Sequence, residues 1–132
     1  MRVNAHLTFD GQCEAAFRMY EECLGGEITM LLKYGSSPLA ADTPELEDKV
    51  VHATLKIGDG TLTGADVSSS DYEKPQGFAV QLNLDSPSDA QHIFDTLREG
   101  GTVRIPLQKV FWAEHYAILT DRFGIPWEVN CA

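Results

Sequence analysis

Glu128 has the sequence neighbours best suited to a working carboxylate. It sits in the run Pro126-Trp127-Glu128-Val129-Asn130, where a proline and a large aromatic would shield it from water. Partial burial raises a carboxyl's pKa toward the range useful for proton transfer. The same group, hydrogen-bonded to a neighbouring strand side chain, would be chemically idle. His6 and His52 are the other titratable candidates, because an imidazole near neutral pH can act as general base or metal ligand. A lone strand histidine serves equally well as a structural hydrogen-bonder. Asn4, Gln81, Asn83 and Asn130 add amides able to orient a ligand. Trp112, next to Phe111, offers a flat face for stacking, or a core or dimer contact. His92 and His115 are assigned to structure or surface. Cys13, Cys23 and Cys131 lack a basic or histidine neighbour in sequence that would stabilise a thiolate. This set suits recognition of a small polar or aromatic molecule. No glycine-rich phosphate loop, serine elbow or H-E-x-x-H motif is present.

These side chains can cooperate only if strands put them on one face. Residues 3–9 alternate Val3, Ala5, Leu7 and Phe9 with Asn4, His6 and Thr8, the period of a strand. Residues 12–24 carry Ala15, Ala16, Met19, Tyr20 and Cys23 at helical spacing, and Gly25-Gly26 is a stop signal. Residues 27–34 read as a strand through Ile28, Met30 and Leu32. Residues 35–49 hold two prolines and an acidic run, which predicts a mobile excursion able to act as a flap. Short strands at 51–57 and 61–66 flank Gly58-Asp59-Gly60, a tight hairpin. At the end of the chain, runs 114–119 and 125–131 flank Asp121-Arg122-Phe123-Gly124 and predict a second hairpin. In its last strand Trp127, Val129 and Cys131 form an oily face, leaving Glu128 and Asn130 as pocket wall.

The chain also repeats itself. Phe78, Val80, Leu82 and Leu84 alternate as Val3, Ala5, Leu7 and Phe9 do. A helical pattern over 87–99 follows, through Ala90, Ile93, Phe94 and Leu97. It stops at Gly100-Gly101, 75 residues after Gly25-Gly26, and Val103, Ile105 and Leu107 match Ile28, Met30 and Leu32 at that same offset. The expectation is a single α+β domain of two tandem βαβββ modules, about 1–67 and 77–132, with 68–76 as linker. If the apolar faces of the first strands pack under the two helices, the opposite faces line a cleft. Those faces carry Asn4, His6, Thr8, Gln81 and Asn83, joined by Glu128 and Asn130 and by His52, Thr54 and Lys56.

Composition narrows the function. The 132 residues suit one core, and 43% apolar with 23% charged residues is ordinary for a globular protein. A formal charge of −10 argues against nucleic acid, whose phosphates need a concentrated cationic surface. No apolar run is long enough to cross a membrane, and no signal segment opens the sequence. Three cysteines without C-x-x-C spacing favour a reducing cytoplasm over a disulfide framework.

Tandem βαβββ modules with the ending Leu119-Thr120-Asp121-Arg122-Phe123-Gly124-Ile125-Pro126-Trp127-Glu128-Val129-Asn130 resemble the vicinal oxygen chelate superfamily, the glyoxalase, bleomycin-resistance and extradiol dioxygenase group. The opening from Leu7 to Tyr20, Lys56-Ile57-Gly58-Asp59 and Phe111-Trp112 resemble its PhnB-like branch. The resemblance implies a curled mixed sheet around a cleft and a homodimer. In metal-dependent members it also implies four His or Glu ligands. Carried over by position, these fall at Asn4, Ala79, near Thr63 and at Glu128, of which only Glu128 is an ordinary ligand. The reading is therefore a metal-independent binder of a small polar or aromatic molecule, with no cofactor. The alternative is a divalent-metal lyase, isomerase or dioxygenase whose ligands have migrated to Glu128, His6 and His52. The branch is often labelled a ubiquinone-pathway methyltransferase, but no motif for S-adenosylmethionine is present.

Overall fold

The computed structural model describes residues 1–132 as two compact units, Met1–Glu73 and Lys74–Ala132. Unit one runs β1 (Ala5–Phe9), α1 (Cys13–Leu24), β2 (Glu27–Lys33), β3 (Val50–Ile57) and β4 (Gly60–Asp66). Unit two runs β5 (Val80–Leu84), α2 (Pro87–Leu97), β6 (Thr102–Val110), β7 (Ala113–Thr120) and β8 (Pro126–Cys131). Each is a βαβββ module with a four-stranded mixed sheet, ordered β1-β4-β3-β2 and β5-β8-β7-β6. In both, the first and fourth strands pair in parallel and the rest antiparallel.

Helix and strand periods meet in each core. Ala16, Phe17, Tyr20 and Cys23 of α1 are buried with Leu7, Phe9, Leu55 and Leu62 of the strands. In the second module Ala90, Ile93, Phe94 and Leu97 of α2 are buried with Trp127, Val129 and Cys131 of β8. Each large side chain withdrawn from water this way contributes on the order of 1.5–3 kcal/mol.

The paired glycines do the same two jobs in both modules. Gly25 and Gly100 take φ of 68° and 70°, the left-handed geometry that ends each helix. Gly26 and Gly101 then pass against the third strand of their sheets. A Cβ there would lie 2.7 Å from the Lys56 carbonyl oxygen and 2.3 Å from that of Thr120. Any side chain would push the second strand off the sheet.

Several details differ from the sequence expectation. Val3 and Phe78 do not pack under the helices: both precede their strands, at 90% and 51% exposure. Met30 is also solvent-facing, because β2 carries a bulge between Ile28 and Met30 that breaks simple alternation. Residues 35–49 fold into 3₁₀ turns at Tyr34–Ser36 and Pro44–Leu46. Their base is closed by Tyr34 N–H donating to the Lys49 carbonyl (2.9 Å) and Gly35 N–H to that of Glu47 (3.0 Å). Phe111-Trp112 immediately precedes the final hairpin and is itself the two-residue connection of the β6–β7 hairpin, since Val110 pairs with Ala113.

Candidate functional site

Strand register assembles a polar face in module two. Gln81 of β5 and Ile118 of β7 flank Glu128 of β8, while Asn83 and Tyr116 flank Asn130. The neighbouring residues Leu119, Trp127 and Val129 point to the other face and are buried, so Glu128 and its row lie on the side away from α2. The Tyr116 hydroxyl donates to Glu128 Oε1. Burial first, and then the hydrogen bond and charge of Glu128, push the Tyr116 phenol up to about 12; Arg104 pulls it the other way. The phenol therefore stays a proton donor and the carboxylate an acceptor. Trp112 packs edge-on to Tyr116, ring centroids 4.9 Å apart, and Phe111 edge-on to Trp112 at 4.6 Å. Asn130 Nδ2 donates to Asn83 Oδ1 at 3.1 Å. A cleft of about 460 Å³ opens at this end of the module, lined by Glu128, Arg104, Phe78, Ile118, Thr120 and Pro126.

The corresponding face of module one has different chemistry. His6 of β1 lies opposite Thr63 of β4, which lies opposite Thr54 of β3. His6 Nδ1 is 2.7 Å from Thr63 Oγ1, and Asn4 Nδ2 donates to the same hydroxyl at 3.3 Å. His52 Nε2 is 3.2 Å from Thr54 Oγ1, and the two imidazoles stack with centroids 6.4 Å apart. Burial, and then the nearby His52, lower the His6 pKa, which favours a neutral ring. A second depression of about 550 Å³, lined in part by Arg2, Asn4 and Lys56, lies in this module.

Each named polar residue of the strands thus lies on the face away from its module's helix. Glu128, Asn130, Gln81 and Asn83 form one group, His6, His52 and Asn4 another. Trp112 is half exposed and reaches Glu128 only through Tyr116. Sequence reasoning passed over Tyr116 and Arg104. Tyr116 was within reach of it: placing His115 in register with Ala117 and Leu119 leaves Tyr116 on the Glu128 face. Alternation with Val103 already turns Arg104 off the apolar face, but its place beside Glu128 depends on the pairing of β6 with β7.

Two buried carboxylates were also missed. Asp66 accepts from Cys13 N–H and Val50 N–H, both at 2.9 Å. Asp121 accepts from Phe123 N–H (2.9 Å), Ile125 N–H (3.0 Å) and Trp127 Nε1–H (2.8 Å). Both serve the fold, and Asp121 explains why Asp121 to Trp127 reads as a motif. Burial, followed by Asp66 and Glu14, pushes the Cys13 thiol up, so it is no thiolate nucleophile.

The profile of the Glyoxalase/Bleomycin resistance protein/Dioxygenase superfamily matches residues 2–129. The chain belongs to that superfamily. Among solved structures it is similar to protein PA1353 from Pseudomonas aeruginosa, with 39% identity, a TM-score of 0.91, and coverage of 99% of this chain and 97% of that one. A Bacillus cereus PhnB protein, named a putative 3-demethylubiquinone-9 3-methyltransferase, shares the fold over 100% of both chains, with a TM-score of 0.86 at 19% identity. Protein YjdN of Escherichia coli K12 is 27% identical over 139 residues, covering 98% of this chain and 95% of that protein.

The superfamily often binds metals, so the donor set can be tested against that role. The strand residues opposite the two fourth-strand positions are His6, which pairs with Thr63, and Gln81, which pairs with Glu128. These four strand positions supply an imidazole, a hydroxyl, an amide and a carboxylate. A first-row divalent ion needs three or more anionic or imidazole donors converging. Within neither module do three His, Cys, Asp or Glu side chains come together as a group that could hold a metal ion. The Glu128 carboxylate and His6 Nδ1 already have protein partners. Neither module by itself supplies a donor set that fits a divalent metal.

Proposed function

We propose that this superfamily member binds a small polar or aromatic molecule at the module-two cleft without a metal, and that binding rather than turnover is its role. The observation that carries this is Glu128 at the cleft wall, held by the Tyr116 hydroxyl. A carboxylate fixed by one donor keeps lone pairs for a ligand N–H or O–H, and the phenol prevents it from swinging into solvent. Gln81 lies beside it in register, and Phe78 and Pro126 supply apolar surface. A few fixed polar groups in an apolar concavity are what a small-ligand site requires.

Three free, buried cysteines support a reducing, cytoplasmic setting. Phe111, at 96% exposure beside half-exposed Trp112, supports a homodimer in which the hairpin tip is covered. Light scattering coupled to size exclusion tests the dimer, which Phe111→Ser would weaken.

The binding reading is tested by a thermal-shift fragment screen on chelator-treated protein beside Glu128→Ala. A ligand at a hundred times its Kd stabilises by about 2.7 kcal/mol, enough to shift the melting temperature by several degrees. Hits that shift wild type and not Glu128→Ala support it. Elemental analysis showing near one divalent ion per chain, lost in Glu128→Ala, would overturn it in favour of metal-dependent chemistry.

A further inference from the structure

Arg104 is where the two modules share a backbone device but load it differently. On β6, Val103 lies opposite Leu119 and Ile105 opposite Ile118, so β6 advances two residues while β7 advances one. Arg104 is the extra residue of a β-bulge, a device that re-aims a side chain next to functional sites. β2 has the same bulge 75 residues earlier, with Ile28 opposite Leu55 and Met30 opposite Thr54, leaving Thr29 as the extra residue. The bulge is therefore part of the module, and only module two puts a cation on it.

That cation lines the same cleft as Glu128. None of the chain's ion pairs involves Arg104, although the net charge of −10 supplies carboxylates in excess. Its charge still reaches the site, since it favours ionisation of the Tyr116 phenol. An unpaired guanidinium at a cavity wall is a planar fork for a planar anion, carboxylate above all. Phe78, half exposed, with Pro126 and Ile118, gives the same cleft apolar surface suited to a ring. Glu128 accepts, so it selects a donor.

We infer that Arg104 sets ligand class: a small organic acid whose carboxylate pairs with Arg104, whose ring-sized apolar body meets Phe78 and Pro126, and whose hydroxyl or amino group donates to Glu128. This rests on the binding reading above and adds the anion.

Titration calorimetry with 3-phenyllactate, its neutral amide 3-phenyllactamide and the cation 2-phenylethylamine tests it. Wild type binds the acid at least about tenfold more tightly than the amide, the usual worth of a charge-assisted pair. Arg104→Gln brings the acid down to the amide's affinity and leaves the amide unchanged; Arg104→Lys, which keeps the charge without the fork, falls between. Because the Arg104 side chain is exposed, these variants keep the fold. Equal affinity for acid and amide in wild type, or an unchanged ratio in Arg104→Gln, overturns the inference. If the amide or the cation binds instead and responds to Glu128→Gln, the binding reading stands and the carboxylate assignment falls. Binding of none of the three at millimolar concentration, with no hit in the fragment screen, removes both.

Discussion

The two modules share a frame and differ at the positions that carry chemistry. The register sets Thr63 of module one where module two has Glu128, His6 where it has Gln81, and His52 where it has Tyr116. One sheet face is thus an imidazole pair tied to threonine hydroxyls, the other a carboxylate tied to a phenol. Helix starts differ too. α2 is capped locally, Ser86 Oγ accepting from Asp89 N–H at 3.3 Å. α1 has no side-chain cap from Gln12, and the first amide of the helix is satisfied by Asp66 at the end of β4. The position of Asp66 in module two is Cys131, opposite Leu84 as Asp66 is opposite Phe9. A fold repeated in tandem keeps its turns, bulges and helix stops, which every copy needs. Its polar strand positions are free to diverge, because the backbone does not depend on them.

The largest expected effect breaks module two at its loop. Module one joins its last two strands through Gly58-Asp59, whereas module two uses residues 121–125 folded around Asp121. Asp121→Ala strands two backbone N–H groups and a buried indole N–H, at roughly 1–3 kcal/mol each. Chemical denaturation should show a loss of several kcal/mol, and a change below 1 kcal/mol would contradict the assigned role. Asp66→Ala strands two backbone amides and should cost about 2–5 kcal/mol, against about 1 kcal/mol for Ser86→Ala. Equal losses would mean that the two helix starts are not built differently.

A pH titration sharpens the comparison further. The Tyr116 phenol is raised to about 12 from an ordinary 10, so the native state holds its proton where the unfolded chain has lost it. Its stabilisation is present below pH 10 and is lost as pH rises from 10 through 12. Ultraviolet titration of the four tyrosines should show a late phase that Tyr116→Phe diminishes, leaving the part due to Tyr34, which burial and then Asp66 also raise. His6 has the opposite sense. Its lowered pKa makes stability present above about 6.5 and lost as pH falls below that value. The effect is the smallest of the set, and His6→Gln should flatten it; an unchanged acid limb would show that His6 is not its source.

The frame was legible in the sequence because it is written in periods. Alternation at Leu7, Phe9, Leu82 and Leu84, helical spacing at Phe94 and Leu97, and Gly25-Gly26 repeated as Gly100-Gly101 all report local backbone geometry. Parity on β8 also placed Glu128 and Asn130 opposite Trp127 and Val129. Site details were less legible where they depend on register between distant strands. Alternation put His6 and Gln81 on polar faces, but that they lie opposite Thr63 and Glu128 follows only from the pairing of strands about 50 residues apart. Arg104 escaped because its place beside Glu128 depends on the pairing of β6 with β7 and not on alternation alone. Asp66 escaped because its partners, Cys13 and Val50, are 53 and 16 residues away.

The claim that module two holds a metal-independent ligand site is tested most directly by titration calorimetry of chelator-treated protein. The titrant is the strongest hit of the fragment screen, run on wild type, Glu128→Gln and Thr63→Ala. The expected result is one ligand per chain, about ten- to a hundredfold weaker in Glu128→Gln and unchanged in Thr63→Ala. Binding that appears only after a divalent metal is restored, or that is lost in Thr63→Ala and kept in Glu128→Gln, would contradict it.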